Sequence, residues 1–205
     1  MNNKGLTLVE VLAVLVILSI VAVVVTPNIA QNLVDYKDRL TETQLSSIKG
    51  ATKNWVADNV DKVTCTENNT SALSVSVKEL QDGAYLDENM KNPQGGKFDD
   101  SDAFGLVSCE EVKDETANLD SNYKYTYGGY LDMNDYLKKM AIEYIKDNMS
   151  KVNDPINVST LQSNGYVYQS IKNTTGTTIS IPNSTIKVTA EDTDSGEYEY
   201  SATIQ

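Results

Sequence analysis

At 205 residues the chain is long enough for one large or two small domains, and its formal charge of −12 repels phosphate backbones, which argues against nucleic-acid partners. It has no histidine, so the commonest general base and the commonest transition-metal ligand are both missing, and enzyme and zinc-site readings start weak. Its two cysteines allow a single intramolecular pair.

Residues 6–25 are almost wholly apolar. At helical rise they span roughly 30 Å, the thickness of a bilayer's hydrocarbon core, which predicts a membrane-crossing helix. The short basic flank Met1-Asn2-Asn3-Lys4-Gly5 places the N-terminus in the cytoplasm and the polar remainder outside. A secretory signal peptide is the competing reading. Against it stand the length of the run and the lack of a small-x-small cleavage site soon after it. Glu10 lies inside the run, where a carboxylate at mid-membrane costs roughly 2.5–3.5 kcal/mol. No Lys or Arg in the run can pair with it. A cut after Gly5 would create an ammonium at Leu6, one helical turn before Glu10. In a bundle of identical helices, a neighbour's ammonium would neutralise Glu10 and set the axial register. A Glu10 that snorkels to the interface is the alternative.

Pro27 removes a backbone donor and crowds the preceding turn, so it kinks, locally melts or ends this helix. Beyond it Leu33, Tyr36, Leu40, Ile48, Ala51 and Trp55 continue an apolar stripe at helical spacing, beside charged Asp35, Lys37, Asp38, Lys49 and Lys53. The pattern predicts a helix reaching about Val60, its second half turning one face to a globular domain.

The remainder repeats itself. The segment from Trp55 to Val63 aligns without gaps on that from Tyr144 to Val152, sharing Asp-Asn and Lys-Val. A second block from Val75 aligns on Ile156 onwards, pairing Val77 with Val158, Leu80 with Leu161, Gln81 with Gln162 and Tyr85 with Tyr166. Ser76 and Asn157 read as N-caps of short helices, and Gly83 and Asn164 as left-handed residues that end them. Leu106-Val107-Ser108 matches Lys187-Val188-Thr189, and Tyr123-Lys124-Tyr125 matches Tyr198-Glu199-Tyr200, at the period-two spacing of antiparallel strands. The second copy opens with its own amphipathic helix, capped by Asp132, with Leu137, Met140, Ala141, Tyr144, Ile145, Met149 and Val152 on one face. Gly128-Gly129 reads as the boundary between copies. Chance similarity of two α+β segments is the alternative to duplication.

Cys65 falls in a loop that the second copy shortens, and Cys109 aligns with Ala190, so both cysteines are absent together from that copy. Their joint absence favours a Cys65–Cys109 disulfide, with two separate thiols as the alternative. The acidic turn Asp99-Asp100-Ser101-Asp102 offers oxygen ligands for calcium but lacks EF-hand spacing, and reads first as a solvated turn. No zinc site is expected, and no nucleophile motif stands out. Asn-x-Ser/Thr triplets at Asn157 and Asn173 match a glycosylation acceptor pattern that arises easily by chance in so Asn-rich a chain.

Lys4-Gly5-Leu6-Thr7-Leu8-Val9-Glu10 followed by an apolar helix resembles the type III signal of prepilins and pseudopilins. The resemblance implies that a membrane prepilin peptidase cuts between Gly5 and Leu6, that the new N-terminus at Leu6 is methylated, and that Glu10 becomes the fifth residue of the mature chain. Leu6 stands where many members have phenylalanine, and Pro27 falls where the family often has a helix-disturbing proline. The fold implied is α+β: a long N-terminal helix, membrane-spanning in its first half, then two tandem pilin-like modules, each a helix packed on a small antiparallel sheet. This resembles the dual-pilin fold of certain Gram-positive minor pilins. The expected divisions are a leader at 1–5, a transmembrane assembly helix at 6–27, a first module at 28–130 and a second at 131–205. The expected role is a minor or specialised structural subunit of a type IV pilus, with neither enzymatic activity nor cofactor, serving adhesion or twitching motility. Expected partners are other pilin subunits, prepilin peptidase, inner-membrane assembly machinery, the membrane before assembly and an unidentified adhesion ligand, with no nucleic acid. A pseudopilin of a type II secretion or competence system and a permanently anchored surface protein are the alternatives.

Overall fold

The computed structural model describes residues 8–90, 92, 103–112, 122–193 and 196–205. Gly5, Leu6 and the acidic turn at 99–102 lie outside these residues, and side chains 20–35, Leu33 and Pro27 among them, are likewise outside the description. The chain divides into two compact units, one ending at Thr43 and the other Gln44–Gln205.

The first helix, α1 (Leu8–Asp58), continues through Pro27, so the proline does not end it. Among the described residues no helix is long and apolar enough to cross a membrane. The expected span at 6–27 lies only partly within them: side chains are described from Leu8 to Ser19, well short of the roughly 20 apolar residues that a bilayer core requires. A single 3-10 turn, Val60–Lys62, follows the helix. Of the predicted stripe, Ile48, Ala51 and Trp55 are buried while Tyr36 is exposed.

The second unit holds nine strands among the described residues. β1 (Cys65–Thr66), β2 (Ser71–Ser76), β3 (Phe104–Val112) and β4 (Asn122–Tyr130) form most of one sheet, and α2 (Val77–Asp82) follows β2 directly. β3 pairs with β4 along one edge, and on the other with β2 antiparallel and β1 parallel. After α3 (Met133–Asp147) come β5 (Pro155–Asn157), α4 (Val158–Ser163), β6 (Ser170–Asn173), β7 (Thr178–Ile179), β8 (Thr185–Asp192) and β9 (Tyr198–Ile204). β5, β8 and β9 make a three-stranded antiparallel sheet.

One feature departs from two self-contained modules on antiparallel sheets. β6 and β7 leave the second copy and extend the first copy's sheet, β6 pairing in parallel with β2 from Ser71 opposite Ser170 to Ser74 opposite Asn173. The resulting six-stranded sheet is therefore mixed. Every residue from Ala103 to Cys109 is buried, because both faces of β3 are covered. Val107 and Cys109 pack with Ile48, Trp55 and Val56 of α1, whereas Phe104 and Leu106 join a core built around Tyr136, Leu137 and Ile145 of α3. Gly128 and Gly129 lie inside β4 rather than in a linker. Gly129 is there because α1 passes so close that a Cβ would overlap the Leu45 carbonyl oxygen.

The repeat has a geometric counterpart. α2 and α4 occupy corresponding positions, and each buries its Val and Leu, Val77 and Leu80 in one, Val158 and Leu161 in the other. After each helix the chain turns back with the same bonds: Tyr85 N to Leu80 O at 2.8 Å, and Tyr166 N to Leu161 O at 2.9 Å. The left-handed residue falls one place later than expected, at Ala84 (φ 59) and Gly165 (φ 77), while Gly83 and Asn164 keep negative φ. The reason is that the turn reverses after the last helical carbonyl has been bonded, so the residue beyond the cap must flip. Ser76 does cap α2, accepting from Glu79 N at 3.1 Å. Asn157 makes no such bond, and its Oδ1 accepts from the Thr185 hydroxyl at 3.0 Å instead. Asp132 caps α3 by accepting from Asp135 N at 2.6 Å.

Candidate functional site

Two regions bear on function: the start of α1, and the surfaces that the two copies present on the second unit.

At the start of α1 the sequence places Leu or Val at nearly every position, and Leu8, Leu12, Leu15, Ile17 and Leu18 are all more than half exposed. At 3.6 residues per turn these side chains point in every direction around the helix. A helix apolar on all sides is stable in lipid or among other helices, not in water. Glu10 lies in its first turn, on the exposed surface.

In the second unit, the helix ends anticipated from the repeat are closed by the same devices. Asn59 donates to Trp55 O at 2.9 Å and Asn148 to Tyr144 O at 2.8 Å. The 3-10 turns Val60–Lys62 and Met149–Lys151 follow, with Lys62 over the Trp55 ring at 5.1 Å and Lys151 over the Tyr144 ring at 5.2 Å. The Tyr85 hydroxyl donates to Asp58 at 2.8 Å and the Tyr166 hydroxyl to Asp147 at 2.6 Å, tying each short helix to the end of the long one. The bonded carboxylate raises both phenols, Tyr166 to about 12. Burial raises Tyr130 and Tyr136 as well. These tyrosines are neutral at physiological pH, Tyr85 and Tyr166 donating to their carboxylates while the Tyr136 hydroxyl accepts from Tyr168 N at 3.2 Å.

Cys65 and Cys109 form a disulfide between register partners of β1 and β3. Cys109 is fully buried, so the bond pins the loop carrying β1 onto the core of the first copy. Where the strand of the second copy crosses to the first, a cleft of about 390 Å³ opens, lined by Ser74, Glu79, Phe104 and Thr174, the Thr174 hydroxyl donating to Glu79 at 2.7 Å. Among the described residues no group of three or more His, Cys, Asp or Glu comes together to hold a metal ion. The Tyr–Asp ties and the strand exchange were not anticipated from the sequence. The ties had a signal, since both Tyr85 with Tyr166 and Asp58 with Asp147 recur in the repeat; the strand exchange had none.

Residues 1–26 match the family model of the prokaryotic N-terminal methylation motif, the type IV pilin signal. The match contains Gly5, Leu6 and Glu10 and ends immediately before Pro27. No curated protein and no solved structure matches the chain.

Proposed function

We propose that this chain, which carries the signal of a type IV pilin-like prepilinase substrate, is a minor or specialised subunit of a type IV pilus. The peptidase cuts it between Gly5 and Leu6, and Leu6 becomes the methylated N-terminus. Residues 6–25 hold it in the membrane, N-terminus inward, until it is extracted into a filament of like subunits. Glu10 meets the Leu6 ammonium of a neighbouring subunit and fixes the axial register. The role is structural and not catalytic. The two copies are tandem pilin-like modules, the second displayed for adhesion or interaction.

The observation that supports this reading most is the combination of the motif with a helix start that is apolar on every side. Such a surface requires lipid or neighbouring helices, and a prepilin meets them in succession. A carboxylate in lipid or among apolar helices is favoured beside a cation, and the cut creates an ammonium at Leu6.

Mass spectrometry of the N-terminal peptide, from filaments sheared off the cell surface and in parallel from membranes, tests it. A chain starting at Leu6 in sheared filaments is the expected result. An intact leader found only in membranes would make the protein an anchored surface protein. Glu10→Ala should cut the amount of subunit in sheared filaments severely, while the second unit keeps its fold. Normal incorporation would refute the register role.

A further inference from the structure

Between the aligned blocks that end at Val63 and resume at Val75 the first copy carries residues 64–74, where the second copy has only 153–155. This added segment contains β1, the disulfide's Cys65 and Ser71 to Ser74 of β2, and it is the part of the sheet to which β6 attaches. Backbone bonds from Gln169 and Ser170 to Thr70 O, at 2.9 and 3.4 Å, seal the junction. A groove of about 560 Å³ runs along it, within the size range of ligand sites.

The lining of this groove is unlike the rest of the molecule. Among the described residues that line it the ionic ones are two lysines, Lys62 and Lys172, with no Asp or Glu, in a chain that has 29 acidic against 17 basic residues. Hydroxyls supply most of the remainder: Thr64, Thr66 and Thr70 on the added segment, Ser170 and Thr174 on and beside β6. Beneath the groove the Thr66 Oγ1 is closed to solvent and has no hydrogen-bond partner among the described residues, although a hydroxyl hidden from water is costly when left unpaired. Asn69 Oδ1, on the same turn, is unpartnered too. Walls held by a disulfide on one side and strand pairing on the other preorganise these groups.

We propose that this groove binds a carboxylate-bearing saccharide. The lysines meet the carboxylate, and the row of groove hydroxyls exchanges hydrogen bonds with the sugar hydroxyls. A densely charged polyanion is disfavoured, because the whole chain repels it. A hydroxyl-rich chain with sparse negative charge suits both the local cations and the global field. The groove is a product of the added segment and the exchanged strand, and its binding holds whether or not the protein enters a filament.

The test is calorimetric titration of the full chain in zwitterionic detergent with a xylo-oligosaccharide that bears one glucuronic acid, with the same oligosaccharide lacking the acid as neutral sugar and glutarate as carboxylate without hydroxyls. Binding of the acidic oligosaccharide alone is expected, weakened about tenfold or more by Lys172→Gln and likewise by Lys62→Gln. No binding of the acidic oligosaccharide overturns the proposal. So does equal binding of glutarate or the neutral sugar, and so does unaltered affinity in both variants.

Discussion

Gly129→Ala should be among the most damaging single-methyl additions in the second unit. Gly129 of β4 stands in register opposite Gly105 of β3, and α1 crosses this glycine pair. A Cβ at Gly129 would overlap the Leu45 carbonyl oxygen and stand 3.2 Å from Leu45 C and Lys49 N. All three are backbone atoms, so no rotamer change yields the space, and a turn of α1 must withdraw by roughly an ångström. Overpacking costs about 1–3 kcal/mol, and a collision with helix backbone belongs at the upper end. A loss of about 3 kcal/mol lowers the melting temperature by roughly 6–12 °C in a chain of this size. The single tryptophan, Trp55, is buried at the end of α1 and reports unfolding by fluorescence in urea. Gly50→Ala on the same helix is the control: nothing lies within 4 Å of its Cβ, so helix propensity should stabilise that variant by up to about 1 kcal/mol. At Gly105 the obstacle is instead the Thr52 side chain, whose hydroxyl bonds Ile48 O at 2.8 Å. Thr52→Ala should therefore recover part of the loss in Gly105→Ala and none of that in Gly129→Ala. A Gly129→Ala midpoint equal to wild type would refute the seating of α1 on the glycine pair.

Replacing Cys65 and Cys109 together by serine, or reducing the disulfide, should lower stability by up to about 4 kcal/mol for a loop with a sequence separation of 44, read as a drop in urea midpoint; no change would mean that the added segment is not restrained by the bond. Tyr166, raised to about 12 by its bond to Asp147, should produce an alkaline loss of stability. Its folded pKa exceeds the ordinary value near 10, so its contribution is complete below about pH 10 and disappears as pH rises towards 12; melts of Tyr166→Phe should show a smaller alkaline loss than wild type, Tyr85, Tyr130 and Tyr136 keeping theirs.

What the sequence disclosed was local or repeated. The helices, the Ser76 and Asp132 caps and the Cys65–Cys109 pair all followed from spacing or from comparison of the two copies, because each depends on neighbours within a few residues or on a difference between aligned positions. The left-handed turn was misplaced by one residue, since Ala84 carries no glycine to announce it, although its counterpart Gly165 does. The destination of β6 was not legible at all. Ser-Ile-Lys-Asn fixes which side chain is buried, Ile171, but strand pairing with β2 is set by contacts a hundred residues away in the chain. The groove was hidden for the same reason, its lysines coming from opposite halves of the sequence.

The two copies solve the helix-on-sheet contact differently. Where the first has Gly105 opposite Gly129, the second has Ile186 opposite Ile204 at the matching place in its hairpin. Ile186 is buried in the core that α3 shares, so α3 rests on side chains, while α1 rests nearly on backbone. Side-chain packing tolerates repacking, and a backbone seat does not. The disulfide, too, belongs to the first copy alone. The helix that carries Glu10 in its first turn therefore ends in the copy with the least freedom to change, held by a glycine seat and a covalent staple. The second copy, bound to the first through β6, retains a core that accepts substitution. In the role proposed above, a fixed register at one end and a displayed surface at the other, this division would assign the rigid copy to assembly and the adaptable copy to recognition.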